Sequence, residues 1–328
     1  MINRRRFVVT SGVGFALGTL PWPLHAQVLS RPARMLIGFP PGGSIDAVGR
    51  VVAEKMRGNY APSVVVENRL GTRGAVVVAA LLGAEPDGSV FHLAPISITT
   101  LWPHVYGKLS FDPLKDLMPV TTVSSFDFAL VVRASVPATN PAEFIQWVKS
   151  DPKQNGLFGI QGVVGGTPHF LGLVFAQSAG IDLTPVPYKG TVQGIQDLMG
   201  GQVQAWMGPV GDIEPFHRAG KVRIVATTGS RRSRFVSGAQ TFTEAGHPTV
   251  LQEERFGIWV RSGTSRGVIQ TLNRSINDTL EQTEVKAMCE RNANEPSGST
   301  PEQFEALIRR EHERWRGIVR AAKYTPED

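Results

Sequence analysis

The sequence predicts an α/β protein with two lobes, each a mostly parallel sheet flanked by helices. Strand and helix signals alternate along the chain, which is the pattern of βαβ units. The 328 residues, 41% of them hydrophobic, suffice for two ordinary cores. No internal repeat, low-complexity tract or long linker interrupts the alternation. We therefore expect two domains joined by short crossings of the chain.

The first alternating set lies within residues 34–93. Apolar or β-rich runs predict strands, and amphipathic periodicity predicts helices. The predicted strands are 34–39, 63–67 and 90–93, and the predicted helices are 46–57 and 75–82. Gly83, Pro86 and Gly88 mark the end of the second helix.

A second set begins at the apolar run 128–132. Its further strands are predicted at 157–160, 184–187, 205–207 and 223–227, and its helices at 142–149, 169–178, 191–199 and 213–219. The chain then continues with a strand at 256–260 and helical segments at 265–283 and 301–322. Thr300, Pro301 and Gln303 give the last helix a cap, a proline at its first position and a glutamine at its third.

The crossings are predicted near Phe126 and Thr249, which makes the first domain discontinuous. Lobe 1 is then formed by residues 27–127 plus 250–328, and lobe 2 by residues 128–249. Residues 1–26 precede both lobes.

Residues 1–26 predict an export signal. Arg4, Arg5 and Arg6 form a basic start, residues 7–20 form a short apolar run rich in glycine, and Ala26 ends a cleavage site. Two arginines followed by Phe7 are typical of twin-arginine export, with the general secretory route as the alternative. The apolar run is too short to span a membrane. Removal of the signal lowers the net charge from +6 to +3.

Composition excludes several classes of site. Cys289 is the only cysteine, so an intrachain disulfide, a cysteine-based metal site and a lipid anchor are excluded, and we expect a half-buried packing role. Arg231, Arg232 and Arg234 form the densest basic cluster, but without a nucleic-acid module they predict a solvated loop. No histidine spacing matches a metal site. We expect no metal and no cofactor.

Two loops join glycines to a hydroxyl residue immediately before a predicted helix. They are Gly42-Gly43-Ser44 and Gly165-Gly166-Thr167. Ligands of open α/β sheets bind at the carboxyl ends of strands. Glycine lets the backbone approach a ligand, and a helix N-terminus offers unpaired N–H groups to an anion. The pair predicts an anion cradle, with two ordinary capped turns as the alternative.

Neither loop has the sequence of a known catalytic or nucleotide-binding turn. Both lack the Gly-Lys-Ser/Thr ending of a phosphate-binding P-loop, and GxGxxG is absent from the first strand–helix turn. Ser44 does not lie in Gly-x-Ser-x-Gly, so a nucleophile elbow is not indicated. Asp46 and His169 could meet across a cleft, but a local role at each helix start is the better prediction.

Several blocks of sequence, in order, resemble the Bug family of periplasmic solute receptors of tripartite tricarboxylate transporters. The resemblance extends over about residues 34–322, and its most specific part is FPPGGSID at 39–46. The other matching blocks are VENR at 66–69, EPDG at 85–88, KLSFDPLKD at 108–116, VPYKG at 186–190 and DLMGGQV at 197–203.

The resemblance implies a type II periplasmic-binding ("Venus flytrap") fold that closes on a small organic carboxylate. It nominates as ligand-binding residues Pro41, Gly42, Gly43, Ser44, Ile45 and Asp46 from lobe 1, Gly165, Gly166, Thr167 and His169 from lobe 2, and Ser97 and Gly208 from neighbouring loops. It also implies a periplasmic, monomeric, non-enzymatic receptor that delivers its ligand to membrane transporter subunits and binds no nucleic acid.

Two positions depart from the family pattern. Gly208 stands where an acidic residue is usual, which removes a partner for an ammonium group and makes an amino-acid ligand less attractive. Arg73 stands where a glycine is expected. On the distal side of the pocket we expect Trp102, Phe126 and Asp127.

The sequence leaves the ligand and part of the role open. Dicarboxylates, tricarboxylates, aromatic acids and nicotinate-like molecules all fit a carboxylate clamp. A ligand-sensing receptor for a membrane kinase would share the site and differ only in its partner. An exported hydrolase or transferase using Ser44 or Thr167 as nucleophile lacks a base at a recognisable spacing. We expect Gly43→Val or Gly166→Val to abolish binding by steric block.

Overall fold

The structure is a computed structural model that describes residues 29–71 and 74–326. The predicted export signal at 1–26 and the departure at Arg73 lie outside these ranges. The strands are β1 Ala33–Ile37, β2 Val64–Asn68, β3 Val90–Pro95, β4 Leu117–Arg133, β5 Leu157–Gln161, β6 Thr184–Tyr188, β7 Ala205–Pro209, β8 Val222–Thr227, β9 Glu253–Arg261 and β10 Glu295–Pro296.

The helices lie between and after these strands. They are α1 Ser44–Lys55, α2 Ala75–Leu82, α3 Ser97–Thr100, α4 Trp102–Val105, α5 Pro141–Ser150, α6 Pro152–Asn155, α7 Thr167–Ala179, α8 Thr191–Gly200, α9 Val210–Arg218, α10 Arg266–Leu280, α11 Thr283–Arg291 and α12 Pro301–Ala321. Within the described residues, no helix has the length and apolar content needed to cross a membrane.

Hydrogen-bonded strands follow the order β2-β1-β3-β9-β4-β7-β5-β6, with β8 and β10 also paired to β4. The outer strands are parallel, as predicted: β1 pairs with β2 and β3, and β5 pairs with β6 and β7. The centre is antiparallel, because β9 runs against both β3 and β4, and β4 runs against β7 and β8. The long strands β4 and β9 thus join two parallel groups.

Strand β4 begins eleven residues before the predicted strand at 128–132. Its first part contains Thr121, Thr122 and Ser124, which are buried although their composition does not predict a core strand. The hydroxyl of Thr121 donates to the carbonyl of Ser299 at 3.0 Å, and the backbone N–H of Thr122 donates to the Ser299 hydroxyl at 3.0 Å. Tertiary hydrogen bonds therefore stabilise a polar segment that periodicity alone does not identify.

Strand β4 changes partners where the sequence predicts a crossing. Residues 117–127 pair with β9, and residues 128–132 pair with β7. The exchange falls between Asp127 and Phe128, and the return crossing leads into β9 at Glu253. This arrangement supports the predicted two lobes, whose bounds remain a prediction.

Strands β1, β3 and β4 are largely buried on both faces, as expected where helices cover a sheet on two sides, whereas β2 and β6 at the ends of the strand order are partly exposed. In β1, Met35 and Ile37 pack into one apolar cluster while Leu36 packs into another. The same alternation separates Leu130 from Val131 in β4. These apolar strands are the part of the fold that hydrophobic pattern predicts well.

Helix starts and packing positions follow local chemistry. At α12 the Gln303 N–H donates to the Thr300 hydroxyl at 3.2 Å, and the Thr300 N–H donates to the Gln303 side chain at 2.9 Å. The predicted capping box is confirmed.

Cys289 is fully buried and not disulfide-bonded, because α11 packs its face against α1 and β10. The sequence predicts a half-buried side chain at this position.

Candidate functional site

The two glycine loops have the same backbone geometry. They follow β1 and β5, and each leads directly into a helix. Gly42 and Gly165 have φ of 90° and 87°, in the left-handed region that favours glycine. Gly43 and Gly166 follow in extended conformation as the N-caps of α1 and α7, and neither cap makes a side-chain hydrogen bond. Neither cap residue therefore satisfies the first N–H groups of its helix.

Asp46 and His169 occupy the same position in the two loops and order them in the same way. The Gly42 N–H donates to the Asp46 carboxylate at 3.0 Å, and the Gly165 N–H donates to Nδ1 of His169 at 3.1 Å. Each bond joins a glycine to the side chain four residues later. The structure thus places both side chains within their own loops, in the local role that the sequence favours.

The Asp46 carboxylate is further held from behind the loop. Arg50 donates to both of its oxygens, at 2.8 and 3.0 Å, and Asn68 donates at 2.9 Å. Burial by itself raises the pKa of Asp46, but the hydrogen bonds from Arg50, Gly42 and Asn68 outweigh it and hold the pKa below its ordinary value. Asp46 is an ionised anchor of the loop.

A cavity of about 140 Å³ lies between the two loops. Its aromatic wall consists of Phe39, Trp102, Phe126, Phe128 and Phe256. Its polar side chains are Ser44, Ser97, Gln161, Thr167, Asp212 and Glu254. The remaining lining residues are Ile45, Pro95, Gly162, Val163, Gly166, Pro168 and Pro209. An apolar cavity with a few convergent polar groups is typical of a small-molecule site.

Five predicted site residues line the cavity: Ser44, Ile45, Ser97, Gly166 and Thr167. Six others shape the two loops without lining it: Pro41, Gly42, Gly43, Asp46, Gly165 and His169.

Gly208 lies within β7, paired with Ala129 of β4, and does not line the cavity. A Cβ on Gly208 would lie 2.4 Å from the indole nitrogen of Trp206. The structure therefore gives Gly208 a packing role, because the indole occupies the space that a side chain would need.

Asp212 is the first of two acidic side chains in the cavity that the sequence does not single out. It lies in the first turn of α9, and its carboxyl accepts hydrogen bonds from the Thr191 hydroxyl at 3.0 Å, the Ser44 N–H and the Gln161 side chain. Burial raises its pKa, and these hydrogen bonds oppose the rise. Asp212 thus contacts the N-terminus of α1 directly.

Glu254 is the second acidic side chain in the cavity, and it contacts the glycine loop that leads into α7. It is 1% exposed and lies in β9. One carboxyl oxygen accepts from the Thr167 hydroxyl and the other from the Arg255 N–H, both at 3.2 Å. Burial raises the pKa of Glu254 to about 7. Each glycine loop therefore faces one buried acid supplied by another element.

Strand register explains how Glu254 enters the cavity. Phe126 of β4 pairs directly with Glu254, and side chains two residues apart on a strand share a face. Phe128 and Phe256 consequently lie on the same face, and the Phe126 ring centroid is 5.6 Å from that of Phe128 and 4.7 Å from that of Phe256. Glu254 therefore lies among aromatic side chains on this face of the sheet.

The neighbours of Phe126 and Glu254 on β4 and β9 face a different cleft. Asp127 and Glu253 line a cleft of about 500 Å³ together with Arg231 and Arg234. Burial, and then the nearby Glu253 carboxylate, raise the pKa of Asp127 to about 7. Of the three distal residues predicted from sequence, Trp102 and Phe126 line the candidate site and Asp127 lines this second cleft.

The charged run Glu253-Glu254-Arg255 explains why Glu254 escapes prediction: it has the composition of a solvated segment. Only its pairing with β4 assigns the two glutamates to opposite faces. Over the described ranges, no group of three or more His, Cys, Asp or Glu side chains is placed to hold a metal ion.

Comparisons with known proteins agree on one family. The model of the "Tripartite tricarboxylate transporter family receptor" matches residues 48–323. Protein BugT of Bordetella pertussis is 29% identical over 325 residues, covering 97% of this chain and 98% of that protein. The protein of the gbd 5′ region of Cupriavidus necator is 29% identical over 289 residues, covering 85% and 86%.

Solved structures show the same fold. The structure of a periplasmic transporter aligns with a TM-score of 0.83 at 28% identity, covering 90% of this chain and 98% of that one. R. palustris Rpa4515 with adipate aligns with a TM-score of 0.83 at 26% identity, covering 90% and 99%. The periplasmic binding protein BugD aligns with a TM-score of 0.80 at 25% identity, covering 90% and 99%.

Proposed function

This chain belongs to the tripartite tricarboxylate transporter receptor family, and we propose that it is a periplasmic solute-binding protein for a small organic carboxylate. It captures the ligand between its two lobes and delivers it to the membrane subunits of a tripartite tricarboxylate-type transporter. The observation that carries the proposal is the pair of helix N-termini, at Ser44 and Thr167, that border one cavity and whose glycine caps make no side-chain hydrogen bond. The R. palustris structure with adipate supports a carboxylate as the ligand.

Two helix N-termini suit a carboxylate because each contributes N–H donors and about half a positive charge. A carboxylate has two oxygens, so one bound group can accept from both loops. Hydrogen bonds to an ionised acceptor are about twice as strong as neutral ones, and the surrounding aromatic wall excludes water. Binding therefore needs no cationic side chain.

Two lobes provide the closing motion. Lobe 1 comprises residues 27–127 plus 250–328 and lobe 2 comprises residues 128–249, with the crossings in β4 and before β9. Cross-lobe hydrogen bonds from Thr167 to Glu254 and from the Ser44 N–H to Asp212 support a closed arrangement in the present structure. The protein acts as a monomer after export and removal of residues 1–26.

The receptor performs no reaction on its ligand. The Thr167 hydroxyl donates to Glu254, which is the neighbour that a threonine nucleophile would need, so this pair is the specific reason to test for catalysis. The Ser44 hydroxyl instead accepts from Asn294 at 2.9 Å. Incubation of the protein with its bound acid and mass analysis of that acid should return it unchanged.

A thermal-shift screen of the mature protein against mono-, di- and tricarboxylates and aromatic acids tests the proposal. A ligand that binds only the folded state raises the melting temperature, by an amount that grows with ligand concentration over Kd. We expect at least one carboxylate to do so. A screen in which none does, with a folded protein, contradicts the proposed function.

Gly166→Val tests the site. Gly166 has φ −75° and ψ 166°, which valine can adopt, although a Cβ there lies 3.1 Å from the Val163 carbonyl oxygen and the loop must relax slightly. The branched side chain then enters the cavity beside the carboxylate, and thermal unfolding checks that the variant is folded. We expect affinity to fall at least a hundredfold by calorimetry. Gly267→Val is the matched control, because a Cβ there meets no atom within 4 Å and Gly267 lies in α10, away from the cavity. Equal affinities in both variants exclude this site.

A further inference from the structure

The cavity has an unusual charge balance for a site that binds an anion. Two of its polar side chains, Asp212 and Glu254, are carboxylic acids, and among the described residues that line it there is no Lys, Arg or His. A ligand whose only charge is a carboxylate would bring a third acid into a cavity of about 140 Å³. Like charges in so small a space repel strongly.

Among the residues that the structure describes, no cationic side chain pairs with either acid. Asp212 accepts only from neutral donors, the Thr191 hydroxyl, the Ser44 N–H and the Gln161 side chain. Glu254 accepts from the Thr167 hydroxyl and a backbone N–H. Arg255, its neighbour in sequence, pairs instead with Glu253 on the other face of β9. Buried acids without a cation require either a proton or a cationic ligand.

The aromatic wall favours the cationic ligand. Five aromatic side chains line the cavity, and Phe126 lies directly across the strand pair from Glu254. The negative faces of aromatic rings attract ammonium groups, and alkylated ammonium groups are bound in aromatic cages of this kind. A wall of rings around a buried acid therefore suits a nitrogen cation better than a second carboxylate.

We propose that the ligand is a compact zwitterion, with a carboxylate at the glycine loops and a cationic nitrogen among Glu254, Asp212 and the aromatic rings. This inference rests on the proposed function as a carboxylate receptor and names its ligand class. Each loop places N–H donors beside an acid, so the two ligand charges lie only a few bonds apart, as in an α-amino acid or a betaine.

The pH dependence of binding shows whether the two acids are neutralised by a cationic ligand or by protons. Burial raises the pKa of Glu254 to about 7, with Glu311 of α12 raising it further and Arg255 lowering it. The groups that face Asp212 are neutral. A zwitterion needs the ionised acids, so its affinity rises as pH increases through 7. A plain carboxylate needs the protonated acids, so its affinity falls over the same range.

Two isosteric pairs of probes test the proposal on the mature protein. Glycine betaine is compared with 3,3-dimethylbutanoate, and 2-aminoisobutyrate with 2,2-dimethylpropanoate; within each pair only the nitrogen cation is replaced by carbon. Affinities are measured by calorimetry at pH 6 and pH 8. We expect the zwitterion to bind at least tenfold more tightly in one pair or both, with the larger preference at pH 8.

Conservative variants test whether Glu254 and Asp212 cause the preference for the zwitterion. Glu254→Gln and Asp212→Asn keep shape and hydrogen bonding but remove charge, and each should reduce the preference for the zwitterion at least tenfold. Glu253→Gln, one residue away on the opposite face, should leave it unchanged.

Tighter or equal binding of the carbon analogues in both pairs overturns the proposal. So does a screen in which only acids without a nitrogen cation bind. Either result leaves the carboxylate receptor standing. The absence of binding by every carboxylate, zwitterions included, overturns the proposed function itself.

Discussion

At the scale of single residues, the energetics of Glu254 differ clearly from those of an ordinary surface acid. An ionised carboxyl without a cationic partner is costly to bury, and Glu254 is 1% exposed with only two neutral donors. Its pKa is therefore raised, to about 7 from an ordinary 4.5. Such a residue weakens the ligand-free fold, which is typical of a group retained for binding.

The raised pKa of Glu254 makes the stability of the ligand-free protein depend on pH. Between pH 4.5 and 7 the native state binds more protons than the unfolded state, so Glu254 lowers the free energy of unfolding as pH rises. The contribution of Glu254 to the free energy of unfolding is fully present below pH 4.5 and is lost as pH rises through 7. The loss is at most about 3 kcal/mol, at ~1.4 kcal/mol per pKa unit.

We expect Glu254→Gln to be more stable than the unmodified protein at pH 8, by about 1–3 kcal/mol, and nearly equal to it at pH 4.5. Urea unfolding of both proteins at the two pH values measures this difference. Because Asp127 and Asp212 titrate in both proteins, their contributions cancel in the comparison. A difference that does not depend on pH contradicts the buried, uncompensated state of Glu254.

At the scale of elements, the two strand–loop–helix units show why each loop has two glycines. The first glycine has a left-handed φ, 90° at Gly42 and 87° at Gly165, and turns the chain sharply after the strand. The second is extended and forms the N-cap. Backbone conformation therefore disfavours a side chain at the first position of both loops, whereas at the second position only Gly166 lines the cavity.

Alanine substitutions separate these two reasons. Gly42→Ala forces a left-handed residue and should destabilise the fold by about 1–2 kcal/mol. Gly43→Ala should change stability little, since Gly43 has φ −80° and a Cβ there meets no atom within 4 Å. Denaturant unfolding of both variants makes the comparison. Equal losses at the two positions would show that the loop has a different backbone in solution.

At the scale of the whole molecule, β4 and β9 connect the two groups of parallel strands. Strand β4 pairs with β9 up to Asp127 and with β7 from Phe128, so a small rotation of the backbone at this point moves one group of strands relative to the other. The hydrogen bonds of Thr167 with Glu254 and of Ser44 with Asp212 join the two predicted lobes, and they require the loops to approach those acids. Ligand binding should stabilise that closed arrangement.

Small-angle X-ray scattering tests this motion. A compact chain of the mature length has a radius of gyration of about 19 Å. We expect a larger value without ligand and a contraction when the carboxylate identified by thermal shift is added. The same data give the molecular mass and check the monomer. An unchanged radius of gyration at saturating ligand contradicts closure as the response to binding.

The sequence by itself determined the succession of elements, because apolar periodicity and caps are local. Helix α2 has the predicted bounds, α12 has the predicted capping box, and both glycine loops lie at strand–helix junctions. Five of the predicted site residues line the cavity for the same reason: loops at the carboxyl ends of parallel strands converge.

Only the tertiary structure decided which polar residues complete the site. Glu253 and Glu254 are equivalent in the sequence, and the pairing of Glu254 with Phe126 places one of them in the cavity and the other in a separate cleft. Asp212 reaches the loop of Ser44 from α9, about 170 residues along the chain. Strand register and the approach of distant helices are set by the packing of the whole molecule, because a shift of one residue reverses every face.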